Sequence, residues 1–263
     1  MTSGRSSGEL RGCGDRLPVV RWRRGEGPFH VANAPTVLKI RKEYLVGAAA
    51  CFLCLLSGAV NVHFVRLFTF AVGNLTGDIF RLLIEFDHSE NDFYAAITLT
   101  LILVMFIAGA ATSGATIHHP SFDIERPYGR SLMAIGGLFL IAAFFEPHSA
   151  MTALPVAAFA SGFQNALATR YRGIVLRTTH VTGIITDLGQ SIGMKIAGDL
   201  VERWKIWLHF FLFASFLAGG VVGILIDSAT GDKAAFVIAG IYLLFGAMFH
   251  TVKHRLFGWH REE

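Results

Sequence analysis

Charge is what this chain has least of. Only 16% of its 263 residues are Asp, Glu, Lys or Arg, against about 25% in an ordinary soluble domain. That shortage excludes a conventional soluble enzyme, and a hydrophobic content of 53% excludes a disordered chain. Cysteine is scarce as well. Three cysteines build no disulfide framework. Cys51 and Cys54 lie one helical turn apart inside an apolar run, without the polar neighbours that a redox or metal pair needs. There is no His-Glu-x-x-His, no P-loop and no dinucleotide fingerprint. His118-His119 are adjacent and face apart on a helix, and His250 with His254 lack a third ligand at a known spacing. No catalytic residue, cofactor or metal is expected.

Long apolar runs are what the chain does have. Six read as membrane helices: Tyr44–Val62, Phe93–Ile117, Ser131–Phe145, Ala150–Ala168, Trp207–Ile226 and Ala234–Val252. A charge in mid-membrane costs about 2.5–3.5 kcal/mol on insertion scales, and the interiors of all six are free of charge. Trp204, Trp207 and Trp259 stand at span edges, where amphipathic rings favour the interface. Gly219 with Gly223, and Gly109 with Ser113, have the small-xxx-small spacing that lets helices approach closely. Two further stretches, Phe64–Phe86 and Gly173–Gly198, mix apolar and charged residues and read as full spans, re-entrant segments or interfacial helices.

Positive charge sets the orientation. With six spans and the N-terminus inside, the inner side holds twenty Lys/Arg and the outer side three: Arg66, Arg81 and Lys233. Six spans with both termini cytoplasmic therefore fit the positive-inside rule better than eight spans, which would move Arg126, Arg130, Arg170 and Arg172 outside. The net charge of +4 belongs to these flanks, so a nucleic-acid partner is not expected. Residues 1–43 read as a disordered basic tail with no signal peptide, and residues 253–263 as a basic cytoplasmic tail.

The chain also repeats itself. Ser57-Gly58-Ala59-Val60-Asn61 matches Ser161-Gly162-Phe163-Gln164-Asn165 at an offset of 104, Thr76-Gly77 matches Thr182-Gly183 at 106, and Ala108-Gly109 matches Ala218-Gly219 at 110. Three landmarks in one order indicate a unit used twice, about 44–147 and 150–252. Three spans is an odd number, so two such units lie in the membrane with opposite orientation, the inverted-repeat plan of many secondary transporters. With four spans each, the repeats would be parallel. The expected fold is all-α: a six-span bundle of two inverted repeats, each with a Thr-Gly broken segment.

Polar residues within such a bundle need partners. The candidates for a shared solute-binding site are Asn61, Asn74, Thr76, Gly77, Gln164, Asn165, His180, Thr182, Gly183 and Asp187. Hydrogen bonding between helices is the competing explanation, worth about 0.6 kcal/mol each on average. Asp78 has Arg81 three residues on, so a local ion pair is expected there. Asp187 has no such partner on its C-terminal side.

At these residues the chain resembles a known family. Gly162-Phe163-Gln164-Asn165-Ala166-Leu167, then Thr178-Thr179-His180-Val181-Thr182-Gly183 and Thr186-Asp187-Leu188, resemble the YoaK-like family of bacterial inner-membrane proteins, a domain of unknown function. The resemblance covers about residues 44–252. Asn61 stands where members often have Asp, and Gly77-Asp78 where Gly-Asn is common. The resemblance implies a multi-pass protein of the inner membrane and brings no substrate or reaction. The leading expectation is a transporter or channel for a small solute or ion, with the lipid bilayer and a second copy of the chain as partners. A non-transporting scaffold is the alternative, and an intramembrane enzyme comes last.

Overall fold

A computed structural model describes residues 36–87, 93–117, 128–167 and 178–257. Of the tail expected at 1–43, residues 1–35 lie outside the described residues and 36–43 form the start of a helix. The His118-His119 pair and Arg170 to Arg177 also lie outside the described residues. The bundle belongs to the unit that runs from Ile40 to Glu263. Among the described residues every regular element is helical: α1 (Thr36–Phe68), α2 (Thr76–Asp87), α3 (Phe93–Ile117), α4 (Tyr128–Phe145), α5 (Ala150–Leu167), α6 (Val181–Ile196), α7 (Arg203–Thr230) and α8 (Ala234–Phe257).

Each expected span falls on one of the longer helices. Four stretches are long and apolar enough to cross a membrane: Val46–Phe68, Phe93–Ile117, Tyr128–Phe145 and Arg203–Val252, the last holding both α7 and α8. These helices mark a membrane protein. α5 is not among the four, because Thr152, Pro155, Ser161, Gln164 and Asn165 dilute it. Its neighbours explain the tolerance. α5 packs on α3 and α4, and Ala153, Leu154, Ala157, Ala158 and Ala160 have no exposure, so it has little contact with lipid.

The two uncertain stretches contain the short helices. α1 continues six residues past Val62, then breaks at Phe68. Thr69 turns the chain with φ 62°. The segment that follows runs back beside α1, and α2 starts at Thr76. At 12 and 16 residues, α2 and α6 rise about 18 and 24 Å, short of a hydrocarbon core of about 30 Å. Neither is a complete span by itself.

Glycines set the helix crossings. A Cβ on Gly58 would land on the Phe216 carbonyl oxygen, and one on Gly219 on that of Leu55, so α1 and α7 touch backbone to backbone. Likewise Gly162 meets Phe106 and Gly109 meets Phe159, joining α5 to α3. Such contact supplies the van der Waals packing that holds helices together in lipid. α4 and α8 pair through Gly129 on His250, Met133 on Gly246 and Gly136 on Leu243. Numbers rise along one helix as they fall along the other, so α4 and α8 are antiparallel. α1 and α7 are parallel: Leu55 meets Gly219, Ala59 meets Gly223, and His63 meets Asp227.

Candidate functional site

The breaks meet a polar cluster in the middle of the bundle. Asn61 is buried on α1. Its Nδ2 donates to the Ser57 carbonyl at 2.8 Å, and its Oδ1 accepts the backbone N–H of Gly73 at 3.0 Å. Gln164 on α5, 1% exposed, is the hub. Its Nε2 faces the Leu53 carbonyl at 3.1 Å, Ser57 Oγ at 3.3 Å and Thr178 Oγ1 at 3.2 Å. Its Oε1 accepts from the Tyr242 hydroxyl on α8 at 2.6 Å. Ser57 lies at the middle of the apolar stretch Val46–Phe68, so the cluster is at mid-height.

The second break repeats the first. Asn165 Oδ1 accepts the backbone N–H of Thr179 at 3.4 Å. The two breaks touch: a methyl group on Gly73 would lie 3.3 Å from Thr179 Cγ2. A Cβ there would also come within 2.9 Å of Asn61 Nδ2, so a larger residue would press on the amide that holds the break.

The structure separates the ten sequence candidates into two sets. Asn61, Gln164 and Asn165 join the central cluster. Asn74, Thr76, Gly77, His180 and Thr182 are exposed at the starts of α2 and α6, while Gly183 and Asp187 are half-buried. His180 caps α6, its Nδ1 accepting the Gly183 N–H at 3.1 Å. The Thr-Gly pairs start the short helices, and the residues just before them make the contact. Asp78 and Arg81 act as paired clamps on the break: Asp78 Oδ2 accepts the Ala71 N–H at 3.0 Å, and Arg81 donates to the Thr69 carbonyl. The break they hold is thus fixed by backbone bonds. Asp187 finds its basic neighbour on another helix, His209 of α7, at 3.7 Å. His209 is 5% exposed and, among the described residues, neither ring nitrogen has a hydrogen-bond partner.

Sequence reasoning missed one cluster altogether. His63 on α1 places Nδ1 2.7 Å from Asp227 Oδ1 on α7, and Nε2 2.9 Å from Glu146 Oε2 just after α4. Arg66 donates to Asp227 Oδ2 at 3.2 Å. The signal was present. His63, Glu146 and Asp227 each directly follow an expected span, the first, third and fifth, and odd spans end on the same side. The two ring nitrogens point at different carboxylates, so the three share no central point for an ion. Among the described residues no group of three or more His, Cys, Asp or Glu is arranged to hold a metal. The run Gly189-Gln190-Ser191-Ile192-Gly193 does spell Gly-x-Ser-x-Gly, but it lies inside α6 and not on a strand-to-helix turn, so Ser191 is no nucleophile elbow.

An all-helical membrane bundle with two breaks held against its polar middle is the class these observations define. A family match covers residues 49–248, and the family is described as "Protein of unknown function (DUF1275)". The chain belongs to that family, and the YoaK-like resemblance agrees with it. No curated protein and no solved structure matches the chain.

Proposed function

We propose that this protein is a carrier for a small solute or ion, with six spans in the bacterial inner membrane, both termini cytoplasmic, and two inverted halves of about 44–147 and 150–252. The observation that carries the reading is the meeting of Gly73 and Thr179. Two broken segments, one from each half, touch at mid-height beside buried amides. Interrupted helices that meet near the midplane are where carriers of this plan bind their substrates. Unwound backbone is tolerated at that depth only where protein or a water-lined cavity surrounds it.

The contact geometry supports the inverted duplication. Gly58 on Phe216 becomes Gly162 on Phe106 when the halves are exchanged by the offsets 104 and 110. Leu55 on Gly219 becomes Phe159 on Gly109, and Gly136 on Leu243 becomes Gly246 on Met133. The exchange swaps α4 with α8. Those two are antiparallel, so the halves run in opposite directions. Alternating access is then a rocking of one half against the other about the shared centre. Purified protein in sealed lipid vesicles, screened for uptake of ions, amino acids and metabolites, tests the reading. Uptake above empty vesicles supports it, and silence across a broad panel counts against it.

One observation favours a second reading, a membrane scaffold. Gln164 and Asn61 use both their donor and acceptor ends on protein. A scaffold shows no ligand-dependent rise in melting temperature. A rise that Gln164→Leu abolishes belongs to a carrier.

A further inference from the structure

We propose that His63, Glu146 and Asp227 form a proton-binding site that latches the bundle end where α1, α4 and α7 terminate, closed when it holds one proton and open when that proton leaves. The inference comes from counting hydrogens. Ionised carboxylates only accept hydrogen bonds, and a neutral imidazole has a single N–H. Here both ring nitrogens face a carboxylate oxygen, at 2.7 and 2.9 Å. Two such contacts need two protons. The trio is therefore an imidazolium between two carboxylates, or a neutral ring beside one carboxylic acid. Either form holds one proton more than the separated groups carry at neutral pH. Opening breaks one N···O contact and passes that proton to water at the same end. No electrons move.

The surroundings suit a latch. The His63 side chain is 3% exposed, those of Glu146 and Asp227 10% and 12%. Arg66 on α1 neutralises one negative charge through Asp227 Oδ2. From α8, Ala235 and Ile238 lie next to the ring, with Val60, Phe64 and Phe139, around a void of about 10 Å³, and these are apolar. The other described charged or titratable groups toward this end include Tyr94 at the start of α3, His148 after α4, and Asp232 and Lys233 before α8, all exposed to water, and Asp78 and Arg81 of α2, which are engaged on the Ala71 N–H and the Thr69 carbonyl.

The site also spans both halves. His63 and Glu146 belong to the first and Asp227 to the second, so opening this end must part them. By the repeat offsets their counterparts at the opposite end are Leu167, Leu256 and Ile117. At these three positions the opposite end carries apolar residues in place of the latch. Under the carrier reading, on which this last step rests, the proton gates solute access from this end and, exchanging with water on one side only, is not itself carried across.

Glu146→Gln tests the site. The glutamine amide donates to Nε2 while Nδ1–H donates to Asp227, so both contacts survive with a neutral ring and no extra proton. Asp227→Asn does the same from the other side, and stands in where the first variant does not fold. For the full-length wild type in detergent, the native form holds a proton that the unfolded chain lacks. Its folding constant therefore falls as pH rises from 6 to 9, by up to about tenfold per unit. In Glu146→Gln that fall is reduced or gone. Nitrogen-15 NMR of labelled histidines, with the His63 signal identified by its loss in His63→Gln, supplies the second readout. At pH 7 the wild-type ring nitrogens share an extra proton and the variant's do not. An unchanged pH slope in Glu146→Gln overturns the latch, as does an ordinary neutral His63 with no protonated carboxyl beside it in the wild type. Vesicles that move no solute while the pH behaviour holds end the carrier reading and leave the latch in place.

Discussion

Asn61 and Asn165 do the same task 104 residues apart: each uses its side-chain oxygen to hold the backbone N–H three residues before a Thr-Gly pair. A break inside a bundle strips a backbone donor of its helical acceptor. A buried donor left unpaired costs about 1–3 kcal/mol. An asparagine on the helix beside the break repairs that loss without bringing a charge into the membrane.

Replacing Asn61 with Ala is therefore expected to lower stability by about 1–3 kcal/mol. Gly73 N–H loses its acceptor, and among the described residues no other side-chain hydrogen bond joins Gly73 to α1. Asn165→Ala is expected to cost less, because its bond is long at 3.4 Å and only partly buried. Thermal melting of the purified variants in one detergent compares them. Equal, negligible losses would falsify the assignment of these amides to the breaks.

The close crossings make a paired prediction. Gly219→Ala pushes a Cβ into the Leu55 carbonyl, and Gly109→Ala pushes one into that of Phe159. Backbone carbonyls cannot rotate away, so each substitution is expected to cost about 1–3 kcal/mol by overpacking. Gly114 lies on the same helix as Gly109 with nothing near it. Gly114→Ala should leave stability unchanged or raise it by about 0.5–1 kcal/mol, since Gly is a poor helix former. Melting curves for the three variants decide the matter, and a Gly219→Ala protein as stable as wild type would show that α1 and α7 do not cross where described.

How much of this was legible beforehand depends on the kind of signal. The helices were legible because lipid demands long apolar runs, and only where a helix is enclosed, as α5 is, does that demand relax. The proposed doubling draws on Gly58, Gly162, Gly109 and Gly219, each of which faces a backbone carbonyl of a neighbouring helix. The contents of the site were less so. Thr76-Gly77 and Thr182-Gly183 stood out by recurring, yet Thr76, Gly77 and Thr182 are exposed. The residue that brings the breaks together, Gly73, has Thr179 as its counterpart, so no shared letter marked it. The His63 cluster joins residues 83 and 164 positions apart. Such separations are invisible until the odd-numbered spans are seen to end together.

The topology has its own check. Lys233 sits in the turn between α7 and α8, and Glu202 just ahead of α7. In the six-span arrangement the first faces outward and the second faces the cytoplasm. Lys233→Cys in intact cells is expected to react with a membrane-impermeant maleimide, and Glu202→Cys only after the membrane is opened. Both positions are exposed, so access is limited by the bilayer and not by the protein. Labelling of both from the same side would remove the crossing of α7, and with it the opposed halves.

His209 offers the sharpest test of whether polar residues here serve stability or function. Its ring is buried and neither nitrogen is hydrogen-bonded among the described residues, while Asp187 stands 3.7 Å away and half-exposed. A buried polar group without partners is a net cost to folding, of about 1–3 kcal/mol. Leu208 and Leu212, the neighbours of His209 along α7, belong to an apolar cluster with Ala50, Cys54 and Ile184, the kind of surroundings that suit a leucine. His209→Leu is accordingly expected to raise the melting temperature. Asp187→Asn, which removes only a distant and solvated charge, should change it little, since exposed ion pairs contribute about 0–1 kcal/mol. A stabilised His209→Leu protein would mean that the histidine is kept for what it does, at the expense of the fold. A destabilised one would mean that the ring has a structural partner, most simply a buried water between it and Asp187, and would class His209 with the amides that hold the bundle together.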